Sequence, residues 1–182
     1  MRPPTRTPLV PTKEISPAFV GEPMIRWPDR YRPDRVGVHV RNELDMPVPP
    51  EPVWAWLVRA RLWPTWYPNS ADVVIAEGRS ELGAGTEFRW KTFGVSLRSR
   101  VEEYVPQERL AWTGRAPGLD VYHAWLIERR SDGCHVLTEE SQNGIFPRLD
   151  HLARPRRMTE FHQLWLERLL AQARGGMPPL AP

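Results

Sequence analysis

Cysteine is nearly absent. Cys134 stands alone, so neither an intrachain disulfide nor a thiol pair for a metal can form, and a reducing, cytoplasmic setting is expected. Long apolar runs are missing as well. No stretch approaches the roughly 20 residues a membrane helix needs, and Met1-Arg2-Pro3-Pro4 lacks the apolar core of a signal peptide. The chain therefore reads as soluble, neither integral to a membrane nor secreted. Charge of one sign is not in excess: 25 Lys and Arg face 22 Asp and Glu, interspersed, so nucleic acid is not an expected partner. There is no Gly-rich phosphate loop, no Gly-x-Ser-x-Gly elbow and no His-Glu-x-x-His helix. His151 and His162 stand eleven apart with no carboxylate set around them. The sequence thus predicts no nucleotide, no metal and no other cofactor.

Proline and tryptophan are what the chain has in plenty. Pro3, Pro4, Pro8, Pro11, Pro17, Pro23, Pro28 and Pro33 recur at intervals too short for a helix and hostile to sheet pairing. Residues 1–35 accordingly read as a Pro- and Arg-rich arm, extended or disordered, with its arginines solvated. Trp27 and Tyr31 predict that the later half of the arm lies on the domain surface or on a second subunit, a homodimer through the arm being the second case. At the other end, Gly175-Gly176-Met177-Pro178-Pro179 stops a helix and leaves 176–182 as a frayed tail. The 36–175 stretch between them has the size of one domain.

Within that stretch the apolar period is two, changing to helical spacing near both ends. Val36, Val38 and Val40 share one face of a first strand against His39, Arg41 and Glu43. Pro47 to Pro52 break the chain, and Val53, Trp54, Leu57 and Val58 then return at helical spacing behind a proline-led turn. A second helical turn over 61–68 stops at Pro68. Strands are predicted over 72–77, 85–92, 95–104, 108–115, 119–129 and 134–143, with Gly- and Pro-bearing turns between them. The last element, about 156–174, places Met158, Phe161, Leu164 or Trp165, Leu169 and Ala173 on one stripe of a helix. An antiparallel sheet with helices gathered on one face is an α+β architecture.

Several segments carry a resemblance in their order and spacing. They are Pro49-Pro50-Glu51-Pro52-Val53-Trp54, Trp63-Pro64-Thr65-Trp66-Tyr67-Pro68 and Gly85-Thr86-Glu87-Phe88-Arg89-Trp90. Glu102 to Pro106, Arg109 to Gly114, His123-Ala124-Trp125 and Thr138 to Gly144 continue the series. Over about residues 36–175 the chain resembles the START-like helix-grip superfamily (SRPBCC), in its polyketide cyclase/dehydrase and lipid-transport branch. The resemblance implies a curved antiparallel sheet of about seven strands wrapped around a long C-terminal helix, with two short helices after strand one and a cavity beneath. It does not select a chemistry, since cyclases, dehydratases, hydrolases, carriers and sensors share the scaffold.

Strand alternation tells which residues would face that cavity. Phe88 and Trp90 oppose Glu87 and Arg89, Leu97 lies opposite Arg98, and Leu110 and Trp112 oppose Arg109 and Thr113. On 119–129 the apolar face is Val121, Trp125 and Ile127, with His123 among them. Trp66, Phe88, Trp90, Leu97, Trp112, Trp125, Phe161 and Trp165 are expected to line the pocket or plug it. His123 is the candidate proton carrier, against the bland alternative of a satisfied core histidine. On the next strand alternation allows either Val136-Thr138-Glu140 or Leu137-Glu139-Ser141 inward, and the resemblance favours Glu140 as the acid beside His123. The reading is a protein that binds a hydrophobic, aromatic or polyketide-like molecule. Either His123 and Glu140 catalyse its cofactor-independent cyclisation or dehydration, or the protein is a non-catalytic lipid or hydrophobic-ligand carrier or sensor.

Overall fold

The computed structural model describes residues 24–179. Seven strands form: β1 (Val38–Met46), β2 (Ser70–Ile75), β3 (Glu87–Thr92), β4 (Val95–Val105), β5 (Arg109–Ala116), β6 (Leu119–Arg130) and β7 (Gly133–Asn143), with burial that alternates along β3 and most of β4 and runs continuously through the middle of β6 and β7. They form one antiparallel sheet in the order β1-β7-β6-β5-β4-β3-β2, a meander from β2 to β7 whose far edge is completed by β1. Register shifts between Ala71 and Val74 and between Val101 and Glu103 bend it.

The concave face grips the helices. After β1 come α1 (Pro50–Val58), with Pro50 and Pro52 in a first turn that needs no amide hydrogen, a 3-10 turn over Ala60–Leu62, and α2 (Trp63–Trp66). The long closing helix α4 (Arg157–Arg174) buries Met158, His162, Trp165, Leu166, Leu169 and Ala173, a stripe at three- and four-residue steps. That stripe is rotated from the expected one: Phe161 is only half-buried, and His162 lies inside. Asn42 of β1 fixes the helix to the sheet, its amide donating to the Thr159 carbonyl and to Gln163 Oε1, both at 3.1 Å. The α+β helix-grip architecture is therefore present, with two short helices after strand one.

One helix has no counterpart among the expected elements. α3 (Ile145–Ala153) stands between β7 and α4, with Pro147 in its first turn, where a missing amide hydrogen costs nothing. Gly144 precedes it at φ 122°, and a Cβ there would come within 2.1 Å of the Gly118 carbonyl, so only glycine lets the chain turn so tightly against the β5–β6 hairpin.

The convex face is covered where β5, β6 and β7 cross it. Ile25 and Tyr31 are buried there against Ala111, Tyr122, Ala124, Leu126 and Leu137, with Trp27 packed alongside. Tyr31 donates to Asp120 at 2.7 Å and stacks on Tyr122 at 5.3 Å. Of the arm expected over 1–35, residues 1–23 fall outside the described part, and the rest follows two short 3-10 turns along the chain's own sheet. At the C-terminus the expectation of a frayed tail is corrected as far as Pro179. Trp56 donates its indole N–H to the Gly176 carbonyl at 2.9 Å, Arg59 bonds the Pro178 and Pro179 carbonyls, and Pro178 is buried. The tail is thus tied down along α1. Among the described residues no helix is long and apolar enough to cross a membrane.

Candidate functional site

The site grows out of the sheet register. Trp112 of β5 pairs with His123 of β6, and His123 with Glu140 of β7, which sets an indole, an imidazole and a carboxylate in one row across the concave face. Of the two solutions for β7, the inward set is Val136, Thr138 and Glu140. Leu137 packs instead with the arm on the convex side. α4 passes over this row and lowers His162 onto it.

At its centre Glu140 Oε2 stands 2.9 Å from His123 Nδ1 and 3.3 Å from His162 Nε2. The first contact is an ion-pair distance without a straight hydrogen bond, and Nδ1 of both rings is buried with no hydrogen-bond partner. Gln142 donates its amide to the other oxygen, Oε1. Behind the row, Thr138 donates to the Ala124 carbonyl at 3.3 Å and contacts His123 Nε2 at 2.8 Å. His123 has no exposed surface, whereas Glu140 is 10 % exposed. Burial alone would raise the Glu140 pKa, but two imidazoles on one oxygen outweigh it and hold the carboxyl well below the usual carboxylate range. Burial moves the His123 ring down, toward its neutral form, against the pull of Glu140. The direction that governs the site is the carboxylate's: Glu140 is ionised at neutral pH.

This polar row closes the inner end of a cavity of about 690 Å³ between the sheet, α3 and α4, a size that suits a small-molecule ligand. Glu140 and His162 line it and His123 stands behind them. Of the other sequence candidates, Trp90, Leu97, Trp112 and Trp165 lie on its wall. Trp66, Phe88 and Trp125 sit in the packed core, and Phe161 meets the ring of Phe93 at 5.3 Å. The tryptophans thus both line and plug. Trp63, fully buried, fills the middle of the grip, with ring centres 5.3 Å from Trp90, 5.6 Å from Trp112 and 5.2 Å from Trp165.

Two wall residues escape strand alternation. Tyr67 follows α2 and stacks on Trp165 at 4.4 Å, and burial raises its phenol well above the ordinary range, so it is a neutral hydrogen-bonding group. His162 does have a sequence signal. It lies four residues after Met158 and three and four before Trp165 and Leu166, so a stripe drawn through those residues includes it. The indole N–H of Trp165 is buried on this wall without an acceptor. At the mouth, α3 turns Ile145, Phe146, Leu149 and Leu152 outward, each more than half exposed, while Arg157 lies over the Phe93 ring and bonds Asp150 at 2.8 Å.

The profile of the family described as polyketide cyclase / dehydrase and lipid transport matches residues 37–174. Among solved structures, hypothetical protein jhp0584 from Helicobacter pylori is 33% identical, with a TM-score of 0.78 over 85% of this chain and 98% of that one. The di-domain ARO/CYC StfQ from the steffimycin biosynthetic pathway is 16% identical, with a TM-score of 0.62 over 76% of this chain and 51% of that one. TTHA0849 from Thermus thermophilus is 18% identical, with a TM-score of 0.62 over 78% of this chain and 100% of its own. The last two likenesses show the fold alone. No curated protein matches the sequence significantly.

Proposed function

The chain belongs to the polyketide cyclase/dehydrase and lipid-transport family, and from that membership we propose that it binds a hydrophobic, aromatic or polyketide-like small molecule in this cavity and catalyses its cyclisation or dehydration. The observation that carries the reading is a carboxylate with two imidazoles on one of its oxygens, lining an otherwise largely apolar pocket. An apolar wall with a few convergent polar groups orients a ligand, and holding a flexible chain in one fold removes much of the entropic barrier to ring closure.

The chemistry follows from which atoms meet the ligand. Glu140 is a weak base, so the proton it can take is an acidic one, such as a C–H between two carbonyls. His123, behind it, holds the carboxylate in place and shares the charge that shifts as the proton arrives. The carbanion attacks a second carbonyl of the same chain, a carbon–carbon bond forms, and the proton returns to the new alkoxide oxygen. Removal of the remaining proton on the attacking carbon, with a proton delivered to the hydroxyl as it leaves as water, forms the carbon–carbon double bond and completes a dehydration, and no oxidant or reductant is consumed. Carriage without chemistry is the second reading, favoured by the exposed apolar face of α3 at the mouth, where a water-insoluble ligand would be handed over.

Trp90, Trp112 and Trp165 report directly on the pocket. Intrinsic fluorescence titrated with tricyclic aromatics, fatty acids and quinones should show saturable quenching by at least one class. A flat response to all three would sink the open pocket. Glu140→Gln should cut turnover of a cyclisable poly-β-carbonyl substrate by roughly 100-fold or more, the scale of a lost general base, with a melting temperature close to that of the unaltered protein, whereas His123→Ala should cut turnover and also lower the melting temperature, because it empties a fully buried position. Tight binding by the unaltered protein with no turnover would assign it to carriage.

A further inference from the structure

Three side chains from three elements, His123 of β6, Glu140 of β7 and His162 of α4, bring donor atoms within 4.8 Å of one another at the closed end of the cavity. We propose that they hold a single divalent transition-metal ion of the zinc class, with a coordination position open to the cavity. Two imidazole nitrogens and one carboxylate oxygen form a donor set that suits zinc and its first-row neighbours. Metal–ligand bonds of about 2.0–2.1 Å at tetrahedral angles set neighbouring donors about 3.3 Å apart. Glu140 Oε2 lies 3.3 Å from His162 Nε2 and 2.9 Å from His123 Nδ1, and with all three donors within 4.8 Å of one another, the two imidazoles must draw together by about 1.5 Å to hold one ion.

The surrounding hydrogen bonds argue the same way. Thr138 gives its proton to the Ala124 carbonyl and therefore accepts one from Nε2–H of His123. That leaves His123 Nδ1 with a lone pair, buried, without a hydrogen bond and 2.9 Å from a carboxylate oxygen. In this tautomer Nδ1 and the carboxylate oxygen face each other with lone pairs, and only a cation between them, a proton or a metal ion, turns the contact into an attraction. The bond to Thr138 also fixes the ring with Nδ1 as its donor atom, the service an outer hydrogen bond performs for a metal-ligating histidine. Gln142 occupies Oε1 of Glu140 and leaves Oε2 to the ion. Because Glu140 and His162 line the cavity, a further position faces whatever enters it. Sequence spacing has no purchase on such a site, since its ligands come from two strands and a helix.

The inference deepens the function proposed above and rests on the same pocket. An ion at this place takes the ligand's carbonyl oxygen and makes the neighbouring C–H more acidic, and the proton then goes to Oε1 of Glu140, which keeps a lone pair beside the Gln142 amide while Oε2 holds the ion. The test needs no organic ligand. Untagged full-length protein, stripped with a chelator and dialysed, is titrated with zinc by calorimetry, and cobalt(II) serves as the absorption probe. One zinc per chain with a submicromolar Kd is expected, together with the visible d–d band of four- or five-coordinate cobalt. Gln142→Ala, which removes only the amide holding the ligand, should weaken zinc roughly 10-fold, and Glu140→Gln and His162→Ala should weaken it further than that. His135→Ala, which disrupts a surface pair with Asp45, should leave the affinity unchanged. Circular dichroism confirms that each variant is folded, and should one unfold, the cobalt spectrum of the unaltered protein still decides.

Less than one ion per chain would overturn the proposal and give the His123–Glu140 contact to a proton. So would an affinity that survives His162→Ala and falls in His135→Ala. Fluorescence binding of organic ligands by the stripped protein stands or falls separately, so failure of the ion and failure of the pocket are distinguishable.

Discussion

A carboxylate with two imidazoles on one of its oxygens is costly to bury unless each polar atom gains something from the others. Glu140 gains two ring contacts on Oε2 and an amide on Oε1, and the pairing offsets the cost of burial. A buried thiol behaves differently. Cys134 of β7 is buried without an anionic or metal role, and burial pushes its thiol up to about 11 from an ordinary 9.0. The folded state therefore favours the neutral thiol. That contribution to stability is complete below the unfolded pKa and is lost as pH rises through the folded one. Native protein at neutral pH should resist a disulfide reagent such as Ellman's, with one thiol per chain released only in denaturant. Stoichiometric reaction of the native protein within minutes would contradict this burial. His123 is legible in sequence because it falls on the apolar face of its strand, whereas Glu140 rests on the family resemblance, since alternation leaves two solutions open for the next strand. Glu140 was legible only in part, because the arm buries the other face of β7 too, so Leu137 and Ser141 looked equally inward. Tyr67 was not legible, since it leaves α2 in a turn with no period to read.

At the scale of elements, the strands and the grip follow from periodicity, and α3 shows where periodicity fails. Its apolar residues Ile145, Phe146, Leu149 and Leu152 do fall at helical spacing, but nine residues with a proline in the first turn make a weak pattern. No buried stripe betrays it either, because those side chains are more than half exposed. α3 is held by the pocket mouth and by Gly144 against the β5–β6 hairpin, both tertiary facts. Its role can be tested on the element itself. Phe146 and Leu149 line the cavity mouth yet lie mostly in solvent, so Phe146→Ser with Leu149→Ser should leave the melting temperature nearly unchanged. The same pair should raise the Kd of a hydrophobic ligand roughly tenfold, the loss of about 1–2 kcal/mol of apolar contact. A ligand affinity indifferent to both changes would remove α3 from the binding site.

At the scale of the whole molecule the sheet has two occupied faces with separate tasks. The concave face carries the indole cluster, the cavity and the polar row, and the convex face is sealed by residues 24–35 over β5 to β7. β6 records this division: Tyr122, Ala124 and Leu126 are buried by the arm, while Val121, His123 and Trp125 are buried by the grip. A sheet covered on both sides reads as a continuous apolar strand rather than an alternating one, which is why the outer cover was hinted at only by Trp27 and Tyr31. Deleting residues 1–35 should separate the two tasks. It removes the buried Ile25 and Tyr31 and the half-buried Trp27, at a cost on the order of 1.5–3 kcal/mol for each of the two fully buried side chains. For a chain of this size that lowers the melting temperature by roughly 6–24 °C, at about 2–4 °C per kcal/mol. The cavity lies on the opposite face, so ligand quenching of the pocket tryptophans should persist with nearly the same Kd below the melting transition. A truncated protein as stable as the full chain would show that the arm covers the sheet without supporting it. A large loss of affinity in a folded truncation would tie the arm to the pocket through the shared strands β5, β6 and β7.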